Sequence, residues 1–187
     1  MNARRHLVLG GARSGKTAFA LQAAAALAQQ AAAPICYLAT AEALDEEMTE
    51  RIARHRQERP AAWRTIEAPV HLAARIGEVA IETVIIVDCL TVWLSNVMLK
   101  DFDAANPRAP LRTWARERER LLECLAACPQ PIVLVSNEVG NGIVPLSALA
   151  RRFQDEQGWL NQAVARVCDA VTFVAAGLPL TLKPPMR

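Results

Sequence analysis

Short apolar runs alternate along this chain with longer amphipathic stretches, and the alternation predicts its layers. His6–Leu9, Ile35–Ala39, Val84–Asp88, Ile132–Ser136 and Ala170–Ala175 are mostly uninterrupted apolar segments. Such runs mark strands covered on both faces, as in a parallel sheet. Helical patterning fills the intervals Lys16–Gln30, Asp45–Glu58, His71–Ile81, Leu111–Ala127 and Ser147–Cys168. Trp63–Glu67 reads as a further short strand. Gly177-Leu178-Pro179 before Leu180-Thr181-Leu182 predicts a hairpin that adds an antiparallel edge strand. Asp101–Pro110 and Asn137–Pro145 read as loops, and Val92–Leu99 as an apolar helix face available for contact between subunits. No repeat or linker interrupts the pattern, so residues 1–187 are expected to form one three-layer α/β domain.

Composition narrows the setting. Hydrophobic residues make up 52% and charged residues 21%, an ordinary globular balance, and the formal net charge of +2 gives no basic stripe for nucleic acid. Arg112–Arg120 alternates with Glu117, Glu119 and Glu123 and reads as a solvated helix face. The five cysteines include no C-x-x-C pair and no zinc set, so Cys36 and Cys89 are expected as buried thiols in a reducing cytoplasm. The first strand begins too early for a signal peptide, and no apolar run reaches the ~18 residues of a membrane span. Trp93, Trp114 and Trp159 are expected in helix packing.

The chemistry begins at Gly10-Gly11-Ala12-Arg13-Ser14-Gly15-Lys16-Thr17, which satisfies the phosphate-loop pattern G-x-x-x-x-G-K-[ST] between a strand and a helix. In that setting backbone N–H groups and the positive end of the helix dipole cradle phosphate oxygens. Lys16 would reach the β- and γ-phosphates, and the Thr17 hydroxyl would ligate Mg²⁺. Thr83-Val84-Ile85-Ile86-Val87-Asp88 is an apolar strand ending in a carboxylate, which places Asp88 on the metal side or the base side of the same phosphates. Ligands of open α/β sheets bind outside the carboxyl ends of the strands. Thr40, Ala41, Asn137 and Glu138 fall there as well.

Asp45–Pro60 starts acidic and ends basic, in keeping with a helix dipole, and places Arg51, His55 and Arg59 near one face. Two readings stay open from the pattern. One is a surface helix with matched charges. In the other, cationic neighbours keep the His55 imidazole neutral and therefore nucleophilic, while the arginines hold polyphosphate.

Several separate stretches together resemble one family. They are the phosphate loop, Tyr37-Leu38-Ala39-Thr40-Ala41, Asp45-Glu46-Glu47-Met48 leading to Arg51-Ile52-x-x-His55, and Arg59-Pro60-x-x-Trp63-x-Thr65-x-Glu67. Asp88-Cys89-Leu90-Thr91 and Ser136-Asn137-Glu138-Val139-Gly140-x-Gly142-Ile143-Val144-Pro145 complete the set. In this order they resemble the bifunctional adenosylcobinamide kinase/adenosylcobinamide-phosphate guanylyltransferases of cobalamin biosynthesis. The resemblance implies a RecA-like P-loop NTPase fold, mostly parallel, with one antiparallel edge strand. It implies that the γ-phosphate of ATP or GTP passes to the aminopropanol hydroxyl of adenosylcobinamide. GMP from GTP would then pass to the new phosphate through a covalent GMP–histidine intermediate, which falls on His55. The family's nucleotide contacts fall on Gly10–Thr17, Ala39, Thr40, Ala41, Arg56, Gln57, Glu58, Arg59, Glu67 and Asp88. Mg²⁺ accompanies the nucleotides, and a homo-oligomer, with trimers known in the family, is implied. A P-loop kinase of another small metabolite and a RecA-like ATPase module are the competing readings.

Overall fold

The computed structural model of the protein describes residues 4–42, 46, 50, 53 and 60–185. Its strands are β1 (Arg5–Gly10), β2 (Ile35–Ala39), β3 (Arg64–Glu67), β4 (Val84–Asp88), β5 (Ile132–Asn137), β6 (Ala170–Ala175) and β7 (Leu178–Lys183). Its helices are α1 (Lys16–Ala31), α2 (Leu72–Gly77), α3 (Leu90–Met98), α4 (Arg112–Ala127) and α5 (Ala148–Val167). Among the described residues the strands form one sheet in the order β3-β2-β4-β5-β1-β6-β7, parallel throughout except for β6 with β7. The expected α/β class and antiparallel edge are therefore present.

Strand periodicity divides the core into two. Leu7, Leu9, Cys36, Leu38, Ile85, Val87, Ile132 and Leu134 face α2–α5. The alternate positions Val8, Ile35, Tyr37, Val84, Ile86, Val133 and Val135 face α1. The two layers differ in the bulk of their helices. α1 meets the sheet through Ala20, Ala24 and Ala28 at four-residue spacing, a face of methyl groups that lets the helix lie close. The opposite layer is filled by Trp93 and Trp114, whose rings meet edge-on at 5.2 Å and 60°. The Trp93 indole donates to the Val70 carbonyl at 2.7 Å.

The elements depart from sequence expectation in three places. The helix expected over His71–Ile81 stops at Gly77, and Gln130 then ties the following turn to β5's approach by donating to the Val79 carbonyl at 2.9 Å. Val92–Leu99 is not an outward face, because Trp93, Leu94, Val97 and Met98 of α3 are buried in the chain's own core and Leu99 alone is exposed. Trp159 is half exposed rather than packed. The helix expected over Asp45–Glu58 lies mostly outside the described residues, where Glu46, Glu50 and Ala53 are helical and exposed.

The solvated reading of α4 holds except at Glu117, which is buried between elements and pairs with Arg120 at 3.1 Å and His71 at 3.4 Å. The start of β1 is fixed by Arg5, whose guanidinium meets Asp169 at 3.0 Å and whose backbone N–H donates to the same carboxylate at 2.9 Å. Its other amino group donates to the Leu125 and Ala126 carbonyls at the end of α4. One side chain thus joins β1, β6 and α4.

Candidate functional site

Six parallel strands deliver their carboxyl ends to one edge of the sheet. Register sets Gly10 beside Asn137 and Val174, Asp88 beside Ala39 and Val135, and Ala39 beside Glu67. The phosphate loop, Ala39-Thr40, Glu67, Asp88 and Asn137-Glu138 therefore lie on the same edge. β5 stands between β1 and β4, so Asp88 is two strand spacings, about 9–10 Å, to the side of the loop's first residue.

The loop has the backbone its sequence demands. Gly15 caps α1 at φ 91, a left-handed conformation, and Arg13 also has positive φ at 56. Gly10 is required for close approach, since a Cβ there would stand 2.4 Å from Ser14 Oγ and 2.6 Å from the Val174 carbonyl. Ser14 N–H donates to the Gly11 carbonyl at 3.3 Å, and the Lys16 ammonium reaches back over the loop to that carbonyl at 3.1 Å. With Gly11, Ala12 and Arg13 at least partly exposed and α1's N-terminus directly behind them, the loop can accept polyphosphate oxygens.

Asp88 accepts a hydrogen bond from the Tyr37 hydroxyl at 2.8 Å, so the β2 tyrosine fixes the carboxylate's orientation. Thr40, expected at the nucleotide, is fully buried, and its hydroxyl both donates to the Cys89 carbonyl and accepts from the Cys89 N–H, each at 2.8 Å. Asn96 continues this clamp by donating to the Thr40 and Pro69 carbonyls at 2.8 and 3.1 Å. Thr40 thus fixes the ends of β2 and β4 in relation to each other, leaving the neighbouring half-buried Ala39 and Ala41 nearer the surface. Cys89 is buried, and burial, with help from the Asp88 charge, pushes its thiol up to about 11. It stays protonated at neutral pH and is a poor nucleophile beside the phosphates.

Behind the end of β5 lies a buried polar network. Ser136 donates to Asn161 Oδ1 at 2.7 Å, Gln157 donates to both at 3.0 and 2.9 Å, and Asn161 donates to the Asn137 carbonyl at 3.0 Å. The Thr91 hydroxyl accepts the Asn137 N–H at 2.8 Å. The next residue turns toward the loop, with the Glu138 N–H donating to the Gly10 carbonyl at 3.2 Å while its carboxylate accepts the Gly140 N–H at 2.7 Å. Beyond it Ile143, Val144 and Leu146 are 97%, 70% and 100% exposed, an apolar rim on the segment that follows the β5 end.

His55, Arg56, Gln57, Glu58 and Arg59 lie outside the described residues. A groove of about 640 Å³ between α4 and α5, lined by Arg118, Arg152, Glu156 and the exposed Trp159, contains none of the strand-end residues. Among the described residues no three His, Cys, Asp or Glu side chains converge as a metal cage. The Thr17 hydroxyl and Asp88 carboxylate are hard oxygen donors, which suits Mg²⁺ bound partly through substrate phosphates. No helix among the described residues is long and apolar enough to cross a membrane.

Residues 6–182 match the family described as cobinamide kinase / cobinamide phosphate guanyltransferase. The bifunctional adenosylcobalamin biosynthesis protein CobP of Pseudomonas aeruginosa is 51% identical over 180 residues, 96% of this chain and 97% of that protein. The corresponding CobU proteins of Escherichia coli and Salmonella typhimurium are each 38% identical over 183 residues, 95% of this chain and 98% of each relative. In fold the chain is similar to a KaiC-like protein of Pyrococcus horikoshii, with a TM-score of 0.50 at 15% identity over 90% of this chain and 69% of that one.

Proposed function

This chain belongs to the cobinamide kinase / cobinamide phosphate guanyltransferase family, and from that premise we propose how its residues divide two reactions at one sheet edge. The observation that carries the reading is the 51% identity to a bifunctional relative over nearly the whole chain, which a shared phosphate loop alone would not give.

In the first reaction the aminopropanol hydroxyl oxygen of adenosylcobinamide attacks the γ-phosphorus of ATP or GTP. The bond to the β-phosphate oxygen breaks, and the nucleoside diphosphate leaves. The N–H groups of Gly11–Thr17 orient the phosphates, and Lys16 offsets the charge that builds on the transferring oxygens. Asp88, held by Tyr37, receives the hydroxyl proton or faces the metal. Thr17 and Asp88 would hold Mg²⁺, which when bound neutralises phosphate charge. In the second reaction the His55 imidazole attacks the α-phosphorus of GTP, forming a P–N bond and releasing pyrophosphate. A phosphate oxygen of adenosylcobinamide phosphate then displaces the histidine, giving adenosylcobinamide-GDP. Arg56, Gln57, Glu58, Arg59, Glu67 and the Ala39–Ala41 backbone complete the nucleotide site. The exposed rim Ile143, Val144 and Leu146 receives apolar parts of the corrinoid. The enzyme acts in the cytoplasm as a homo-oligomer, a trimer in this reading.

GTP radiolabelled at the α-phosphate tests the second reaction directly. Label is expected on the protein, labile in acid and stable in alkali as a phosphoramidate, and absent from His55→Ala. Wild-type protein that takes up no label under turnover conditions would sink the covalent route. Transfer from γ-labelled ATP or GTP to adenosylcobinamide tests the first reaction.

A further inference from the structure

The turn between β6 and β7 has no assigned part in either reaction, yet it touches the phosphate loop. β6 and β7 pair Ala175 with Leu178, so Ala176 and Gly177 form a two-residue hairpin turn. Both have positive φ, 51 and 77, the conformation of a type I′ turn. The second residue of such a turn has no ladder partner for its N–H. Here the Gly177 N–H donates to the Ser14 carbonyl at 2.8 Å. A Cβ built on Gly15 would stand 3.1 Å from Gly177 Cα, so loop and turn meet backbone to backbone. The loop's first residue is backed by the same element, with the Val174 carbonyl 2.6 Å from where a Gly10 Cβ would stand.

The hairpin is itself held in place. At its far end the Lys183 ammonium donates to the Ala165 carbonyl at 3.1 Å and also to the Cys168 carbonyl, fastening β7 to the end of α5.

We propose that Gly177 is a positioning residue for the phosphate loop, anchoring the Ser14 carbonyl so that the Gly15 N–H is aimed into the triphosphate site. The peptide unit is planar and trans, so its C=O and N–H point in opposite directions. Fixing the Ser14 carbonyl on the hairpin turns the adjoining Gly15 N–H away from it, into the mouth of the loop. Without the anchor that peptide can rotate, and one donor to phosphate loses its orientation before the nucleotide arrives. This rests on Gly10–Thr17 being the triphosphate site, as read above.

The test removes the one hydrogen. A synthetic segment 168–187 with glycolate in place of Gly177 converts the amide to an ester. It is joined through the native Cys168 to expressed residues 1–167, and the full chain is refolded beside an all-amide control. The ester is expected to raise the nucleotide KM about tenfold in both reactions, the scale of one oriented bond to a charged group, with kcat within about twofold of the control. An unchanged KM would overturn the proposal, whether or not the melting temperature falls, because a purely structural turn predicts lost stability alone. Two recombinant variants give the same answer without refolding. Gly177→Val cannot hold φ 77 and should raise KM at least about threefold. Gly177→Asn tolerates positive φ, keeps the N–H and adds a Cβ that meets nothing within 4 Å, so its KM should stay near wild type. A Gly177→Val enzyme with wild-type KM also overturns the idea. Lys16→Ala, assayed alongside, separates the two readings: its lost turnover upholds the triphosphate site whatever the ester does, and turnover that survives it takes down both.

Discussion

At the scale of single residues, the chemistry divides by what each group's surroundings permit. Lys16 sits over the phosphate loop, and Lys16→Ala should lower kinase turnover roughly a hundredfold, as expected for the loss of a charge contact made in the transition state. Cys89 stands next to Asp88 but is held protonated, its thiol near 11. Cys89→Ala should therefore keep full labelling by α-labelled GTP, and loss of label in that variant would move the nucleophile away from His55.

Asp169 makes a stability prediction with a definite sign. Burial raises its pKa, but the hydrogen bonds and charge of Arg5 outweigh that and hold it below its ordinary 3.8. A depressed carboxyl contributes stability in full above the unfolded value and loses it as pH falls through the folded one. Asp169→Asn should thus lower the urea midpoint at pH 7, and the gap to wild type should close as the pH drops below 3.8. The phosphate loop and the strand-end acid were readable at this scale because each is a contiguous motif. The Tyr37–Asp88 and Thr40–Cys89 bonds were not, because they join residues that become neighbours only once β2 lies beside β4.

At the scale of elements, polar clamps hold the strand ends where ligand chemistry needs them fixed. Thr40→Val would leave the buried Cys89 N–H without its acceptor and strip the Cys89 carbonyl of one of its two donors, the Trp93 N–H remaining, at a cost of about 1–3 kcal/mol in unfolding free energy. Thr40→Ser should recover most of it, and chemical denaturation of the three proteins checks the pair. Replacing Val144 or Leu146 with Asp should raise KM for adenosylcobinamide while leaving KM for GTP within about twofold, as expected when only one substrate's binding is lost. Equal effects on both would place the rim elsewhere in the mechanism.

The sheet strands were legible as elements because fully covered strands are apolar without a break. α3 was legible as helix but not in its location. A helix apolar on nearly every side carries no stripe to show which neighbour covers it, and in this chain the neighbours are α4, α5 and the sheet. Glu117 misled for the opposite reason: its charge pattern matches its solvated neighbours, and only packing against α2 reveals it as buried.

At the scale of the whole molecule, binding and stability are one equilibrium. GTP at about 100 times its Kd should add about 2.7 kcal/mol, raising the melting temperature by about 5–10 °C for a domain of this size. Lys16→Ala should lose most of that rise. Sedimentation velocity addresses the assembly, and a species of only 20.4 kDa at micromolar concentration would count against the homo-oligomer. Strand order was the part of the fold least available from sequence, because nothing local in β1 says that β5 and β6 will flank it.

That placement has a consequence for how the protein is made. β1 and the phosphate loop are synthesised before every other strand of the sheet, yet β1 pairs with strands that begin at Ile132 and Ala170, and its Arg5 awaits a carboxylate 164 residues away. Long-range pairing of this kind slows folding and leaves an early apolar segment without a home during synthesis. The loop that grips the first substrate would be finished only when the Gly177 turn docks, so a chain stalled before the hairpin would carry the whole signature motif and still lack a working grip.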